Sequence, residues 1–379
     1  KIQNRMSNLY IHYPFCKQAC HYCNFHFSTS KDGRNDMFKL IKNELHLRSK
    51  ELINPIESIY FGGGSPSLIS TKNISDFIDL IKNKFEVKKN IEVTLEVNPD
   101  DVDEEYLKKI KDSGVNRLSI GIQSFFEKDL IIMNRAHNVR QAHKSLESVS
   151  KFFQNFSIDL IYGMPYSSLT NWKNNLEIAL SYNPPHISAY ALTVEEKTVL
   201  YHKVKEKKID LLDDDDVKQQ YEILINTLEH KGYINYEFSN FAKQNYFSIN
   251  NQNYWIGKPY LGLGPSAHSY DGKFLRSWNV SNNHNYAKSI MSGVLDLKIE
   301  KLSTKDLYNE YLMTALRTDE GVSLAHVKKT FGKRYTMYLE DQVKRHFKYR
   351  NLFWDGDFLK VTKKAKFLTD GIAADLFLV

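Results

Sequence analysis

The sequence predicts an α/β protein, a partial (β/α)6 TIM-like barrel followed by a winged-helix-like α+β domain, and three observations carry that expectation. Six short runs dense in Ile, Val, Leu and Tyr recur between residues 9 and 193, each followed by an amphipathic stretch such as MFKLIKNELHLRSK. Gly or Pro bounds most of these runs, as expected where strands hand over to helices. From about residue 300 the apolar spacing becomes helical and is broken by one hairpin pattern.

The first run, LYIHYP, leads into FCKQACHYCNFHF, which holds all three cysteines of the 379-residue chain: Cys16, Cys20 and Cys23. Three thiolates on one short loop can wrap a single soft-metal centre. A four-iron four-sulfur (4Fe-4S) cubane normally takes four thiolates, so this CxxxCxxC loop leaves one iron without a protein ligand. A zinc ion completed by His21 or His26 is the alternative that the residues leave open.

The second run ends in Gly62, Gly63, Gly64, Ser65 and Pro66, either a tight turn or a place where backbone amides approach a ligand closely. The third, TLEVNPD, sets Glu96 in an apolar strand, where a carboxylate is costly unless it is paired or faces a ligand. The fourth, RLSIGIQSF, does the same with Gln123 and the fifth, SIDLIYGMP, with Asp159, while IMNRAHN offers Arg135. Barrels of this kind gather their chemistry where strands end and βα loops begin. An acid, an amide and an acid on successive strands suit a ribose and an adenine edge, although each could simply bond a neighbouring loop. The chain has neither GxGxxG nor GxxxxGK[ST], which excludes the usual dinucleotide and nucleoside-triphosphate sites.

Residues 213 to 233 read as a helix that starts on aspartates and carries an apolar face of Tyr221, Leu224, Ile225 and Leu228. Beyond it lies an aromatic and Asn-rich stretch with Tyr254, Trp255 and Tyr260, which either lines a flat ligand's pocket or packs against the open side of the barrel. Near the end, WDGD offers Asp355 and Gly356 for a tight turn, and three helices with this hairpin resemble a winged-helix module. The expected division is a barrel over 1–235, a completing and connecting segment over 236–298, and the winged-helix-like domain over 299–379. Lys363, Lys364 and Lys366 make only a modest basic group, so nucleic-acid binding is a minor alternative.

The balance of 52 basic against 45 acidic residues gives a net charge of +7, scattered along the chain. It either keeps the protein soluble or favours an anionic small molecule, such as a porphyrin with its propionates. No apolar run approaches membrane-span length and the opening residues form no signal region, so a cytoplasmic protein is expected, with Met6 as its natural start. Three closely spaced cysteines also fit a reducing compartment.

The combination YIHYPFCKQACHYCNF, YFGGGSPS, LEVNPD, RLSIGIQSF, IDLIYGMP and YLGLGPSAHSY resembles radical S-adenosylmethionine (SAM) proteins. Within them it is similar to the oxygen-independent coproporphyrinogen III oxidase-like family, and nearer to haem chaperones of the HemW type than to the oxidase. The resemblance implies a 4Fe-4S cluster on Cys16, Cys20 and Cys23, with SAM chelating the open iron. It further implies SAM contacts at Tyr10, Tyr22, Gly63, Gly64, Ser65, Glu96, Gln123, Arg135 and Asp159. Haem or a related tetrapyrrole would be the cargo, with an unidentified acceptor protein, a reductant for the cluster, and at most peripheral contact with a membrane.

Two departures from the oxidase pattern favour the chaperone. Phe25 stands where the oxidase has a further cysteine, and the cluster loop is reached within sixteen residues, without the oxidase's N-terminal extension. Oxidative decarboxylation of coproporphyrinogen is thus the alternative function, and no enzymatic activity is assigned. One departure separates the chain from the chaperones: NNQNYW places Asn250 where their HNxxYW motif has a histidine. Asparagine is a poor ligand for haem iron. His268, in the GPSAHSY turn, is either a substitute ligand or a hydrogen-bonded turn residue.

Overall fold

Six parallel strands form the centre of a twelve-stranded sheet in the computed structural model, which describes residues 7–52 and 54–379. Met6 lies outside the described residues. The six are β1 (Asn8–Tyr13), β2 (Ile56–Gly63), β3 (Val87–Val97), β4 (Arg117–Gln123), β5 (Phe156–Tyr162) and β6 (His186–Ala191), lying side by side in chain order. They coincide with the six runs picked out by composition. Each connection carries at least one helix, as parallel neighbours require.

Local chemistry explains where these helices begin. Ser70 accepts from the Asn73 amide to start the helix Thr71–Lys84, whose Ile74, Phe77, Ile78 and Ile81 are buried at helical spacing. Asn138 and Gln141 form a reciprocal capping box at the start of Val139–Phe152. The acid-started helix is Asp214–His230, with Tyr221, Leu224, Ile225 and Leu228 buried on one side.

The sheet does not close on itself. Past β6 it continues antiparallel through β7 (Ile234–Glu237) and β8 (Asn240–Ala242), in the spatial order β6-β8-β7. On the other side β1 pairs in parallel with β9 (Tyr260–Leu263), and a meander of β10 (His268–Tyr270), β11 (Leu275–Asn279) and β12 (Leu297–Lys301) extends it. The aromatic stretch therefore does both things expected of it as alternatives, since part supplies strands and part lines a cavity.

The C-terminal residues have a core of their own, built around Tyr308, Leu312, Leu339, Val343 and Leu359. Helices Thr304–Leu316, Leu324–Thr330 and Lys333–Lys348 pack with a three-stranded sheet of β13 (Val322–Ser323), β14 (Leu352–Asp355) and β15 (Phe358–Val361). The hairpin is present one residue later than expected. Asp355 still pairs with Phe358, so Gly356, at φ +59°, and Asp357 make the turn. Lys363 pairs with Glu229, and Lys366 donates to Asn235 at 2.5 Å, so part of the basic group faces the barrel. Among the described residues no helix is long and apolar enough to cross a membrane.

Glu44 is the junction between the first helix, Arg34–Leu47, and the β9–β11 extension. Fully buried, it accepts from Arg48, the Gly264 amide, Asn279 and the Tyr286 hydroxyl, at 2.7 to 3.3 Å. Removing the carboxylate leaves the buried Arg48 with only Glu51, half outside, as an ionic partner. Glu44→Ala is expected to cost about 3–5 kcal/mol in urea unfolding, more than a similar cut at an exposed ion pair such as Lys72–Asp76.

Candidate functional site: a three-thiol loop over the strand ends

Immediately after β1 the chain forms the loop that carries the cysteines across the carboxyl ends of the neighbouring strands. Its backbone is pinned along its length. The Cys16 amide donates to Ser28 O at 3.0 Å and the Arg34 guanidinium to Cys16 O at 3.0 Å. Asn134 Nδ2 holds Ala19 O at 2.8 Å, and the His21 amide donates to Met133 O at 3.0 Å. Lys17 pairs with Asp100 and Asp101, just beyond β3.

Cys16, Cys20 and Cys23 line one cavity of about 480 Å³, and none is in a disulfide. The same wall carries Tyr22, Gly63, Gly64, Ser65, Glu96, Gln123, Arg135 and Asp159. Side chains separated by more than a hundred residues in sequence are thus gathered by the parallel strands, whose ends lie on one rim. Tyr10 is the exception. It lines a second, larger cavity, where its hydroxyl meets His12 Nδ1 at 3.2 Å and its ring stacks on Tyr60 at 6.0 Å. Tyr60, against which it stacks, lines the first cavity.

The histidines offered as zinc ligands go elsewhere. His21 Nδ1 lies 2.9 Å from Ile132 O, and His26 Nε2 lies 2.7 Å from Asn283 Oδ1. Among the described residues no three His, Cys, Asp or Glu side chains gather closely enough for one metal ion. A cluster presents its irons at separate corners, so thiols spread around a cavity wall suit it. Burial pushes the Cys16 thiol up to about 11 and also raises Cys23, so any metal centre loaded here displaces protons from them.

Each polar side chain on the rim has a physical reason for its direction. Gln123 sits at φ +66°, where β4 slips register against β5, and this left-handed bulge re-aims its side chain. A methyl group on Gly121 would stand 2.8 Å from Gln123 Nε2 and 3.2 Å from Arg135 Nη2, so only glycine leaves room for both. Asp159 accepts from Ser119 Oγ at 2.8 Å and from Ser157 Oγ at 3.1 Å, and Ser157 continues to His186 Nδ1 at 2.8 Å. Glu96 accepts from the Tyr60 hydroxyl at 2.8 Å.

The glycine run also holds the cysteine loop. Gly64 N–H donates to Tyr13 O at 2.8 Å and Ser65 N–H to Phe15 O at 2.7 Å, so these two amides are spent on the loop. A Cβ on Gly64 would stand 2.6 Å from Phe15 O, so glycine there lets the cysteine loop lie against β2.

Sequence reasoning passed over Tyr60, Asn98, Arg117, Ser119, Ser188 and Tyr190, which line the same cavity. A signal existed for some of them. Asn98 follows Glu96 by two positions, and Arg117 is a cation at the start of an apolar strand. Arg135 links the whole assembly, with Nη1 3.4 Å from Cys20 Sγ and Nη2 donating to Asn98 Oδ1 at 2.7 Å and Gly121 O at 2.9 Å. Asn24 and Phe25 line both this cavity and the larger one, and Phe25 is 67% exposed.

A three-thiol loop laid over the strand ends of an open parallel sheet defines a radical SAM protein, and residues 10–178 match the radical SAM superfamily. The chain is 33% identical over 340 residues to the haem chaperone HemW of Bacillus subtilis, covering 88% of each chain. It belongs to the HemW family. It is also 33% identical over 347 residues to the mitochondrial radical S-adenosyl methionine domain-containing protein 1 of Danio rerio, covering 86% of this chain and 78% of that one. In fold it is similar to coproporphyrinogen III oxidase from Escherichia coli, with a TM-score of 0.84 at 20% identity, over 98% of this chain and 90% of that one.

Two measurements follow from the geometry. Arg135→Ala removes the clamp between loop and strands and leaves Asn98 and Gly121 O short of a donor, at a cost of about 2–3 kcal/mol. Alkylation of the cysteines in the metal-free protein is expected to accelerate severalfold in that variant. The second concerns Glu96, which burial, reinforced by Asp159, pushes up to about 7 despite the Tyr60 bond. Its folded value exceeds its unfolded one, so the native state binds more protons in between, and stability falls as pH rises from about 4.5 to 7. Glu96→Gln is expected to remove that part of the slope. The variant gains over wild type in urea midpoints as pH rises, by an amount on the order of 2 kcal/mol at pH 8.

Proposed function

We propose that this protein is a haem chaperone that carries a 4Fe-4S cluster on Cys16, Cys20 and Cys23, binds SAM at the adjoining strand ends, and passes haem to an acceptor protein. The convergence of the three thiols with Glu96, Gln123, Arg135 and Asp159 on one cavity is the observation that supports this most strongly. Such a cluster, when bound, supplies an iron open to the amino and carboxylate groups of SAM and an electron for its sulfonium. Glu96 and Asp159 offer acceptors to a ribose, Gln123 an amide to the ligand's polar edge, and Arg135 a fixed positive charge to its carboxylate. Burial alone would lower the Arg135 pKa, but Tyr22 and Cys20 beside it outweigh that and raise it, so the guanidinium stays charged.

The haem part of this reading rests on the family and on the second cavity, and the acceptor and the reductant are unidentified partners. We place the protein in the cytoplasm. The domain division is a barrel, a connecting segment and a winged-helix-like end. The boundaries at 235/236 and 298/299 would cut β7 and β12, so the seams are better set before Ile234 and after Lys301.

Anaerobic reconstitution with iron and sulfide tests the proposal. The expected result is about four irons per chain with sulfide-to-iron charge-transfer absorption. A Cys16→Ala/Cys20→Ala/Cys23→Ala variant that kept its iron would overturn the cluster assignment. Release of 5'-deoxyadenosine in turnover amounts with coproporphyrinogen would favour the oxidase instead.

A further inference from the structure

The larger cavity holds about 1,110 Å³ and is lined from four directions: by β1 and the cysteine loop, by the helix Ile249–Trp255, by the β9–β11 extension, and by the first helix of the C-terminal core. Drug-sized ligands occupy sites of roughly 300–1,000 Å³, so the space is ample for a flat macrocycle. Its walls are aromatic, with Trp255, Tyr254, Tyr260 and Trp278. Arg276, Arg317 and Lys258 also line it, each steadied by a carboxylate: Glu310 at 2.8 Å, Asp370 at 2.5 Å and Glu57 at 2.7 Å. Aromatic walls with cations among them suit a planar ligand that ends in carboxylates.

Resting on the haem reading above, we propose that His268 is the residue of this chain that ligates haem iron, in the larger cavity, in place of Asn250. Asn250 lines the same cavity, but a side-chain amide is a poor ligand for haem iron. The cavity has three histidines. His12 has both ring nitrogens engaged, with the Tyr10 hydroxyl at 3.2 Å and His26 O at 2.8 Å. His26 has Nε2 on Asn283.

His268 is placed otherwise. Its neighbour Ser269 is turned to the opposite face of β10, where it is held by Arg48 Nη2 at 3.2 Å and the Gly262 amide at 3.0 Å. Strand alternation then directs His268 into the cavity. Its register partner is Trp278, and the two rings stack at 5.5 Å and 20°, which fixes the plane of the imidazole. The backbone of Ser266, itself at φ +66°, lies within bonding reach of the ring. A metal-binding histidine usually turns one ring nitrogen to a backbone carbonyl or a carboxylate and offers the other to the metal. The His268 ring keeps solvent exposure, but partial desolvation by its surroundings lowers its pKa below the ordinary value, which favours the neutral form that iron requires.

The test is a haemin titration of the purified full-length protein followed by the Soret band, in wild type, His268→Ala, His26→Ala and Asn250→His, with circular dichroism as a check on folding. Wild type is expected to give a saturable Soret shift, His268→Ala to weaken binding at least about tenfold, and free imidazole to restore the wild-type spectrum in that variant. Imidazole rescue separates a ligand from a residue that merely supports the fold. If His268→Ala titrates like wild type, or His26→Ala is the variant that loses the shift, the assignment of His268 is overturned while the haem reading stands. If wild type itself gives no saturable shift, both fall.

Discussion

The site depends on one guanidinium. Arg135 reaches a thiol of the cysteine loop, the side chain of Asn98 after β3 and the main chain of β4, and so adds a single joint to segments that sheet pairing and the Lys17 ion pairs also hold. Its planar fork of donors can do this, whereas a lysine's single ammonium could not reach all three in one geometry. Everything else at the rim is placed relative to that clamp. The bulge at Gln123 leaves Gly121 O exposed to it, Gly121 must lack a side chain to admit it, and the loop over β2 approaches closely because Gly64 also lacks one. A surface loop with three half-buried sulfurs is thereby made part of the sheet's edge.

The sheet supplies a second constraint of a more general kind. Parallel strands in chain order bring all their carboxyl ends to one side, so residues at corresponding strand ends become neighbours whatever their separation in sequence. Asp159 shows how far inward this extends, because its serine partners continue to His186 and from there to the Tyr236 hydroxyl at 2.8 Å on β7. A carboxylate at the rim is in this way oriented by a strand beyond the parallel set.

This explains how much could be read from the chain itself. The six parallel strands were legible because each is a short apolar run and most are bounded by Gly or Pro, and Cys16, Cys20 and Cys23 because cysteine is so scarce. Glu96, Gln123 and Asp159 stood out as polar residues in apolar strands. Tyr10 lines the larger cavity while Tyr60, its register partner in β2, lines the one with the cysteines, and composition does not reveal which of two adjoining cavities a strand-end ring meets. The parallel pairing of β1 with β9 was hidden for a similar reason. Some 250 residues separate them, and YLGL reads equally well as a turn. Arg117 and Ser119 were passed over because both are buried or nearly so, and nothing local distinguishes a cation or hydroxyl that serves a cavity from one that satisfies a core.

Asn24 and Phe25 form a party wall, being lining residues of both chambers. A molecule that presses on this wall from one side changes the shape offered to a molecule on the other. Thermodynamic reciprocity then requires that whatever factor the first occupant imposes on the second is returned in equal measure. Two ligands that met at this partition could be coupled through Asn24 and Phe25 alone, with no long-range movement of the fold.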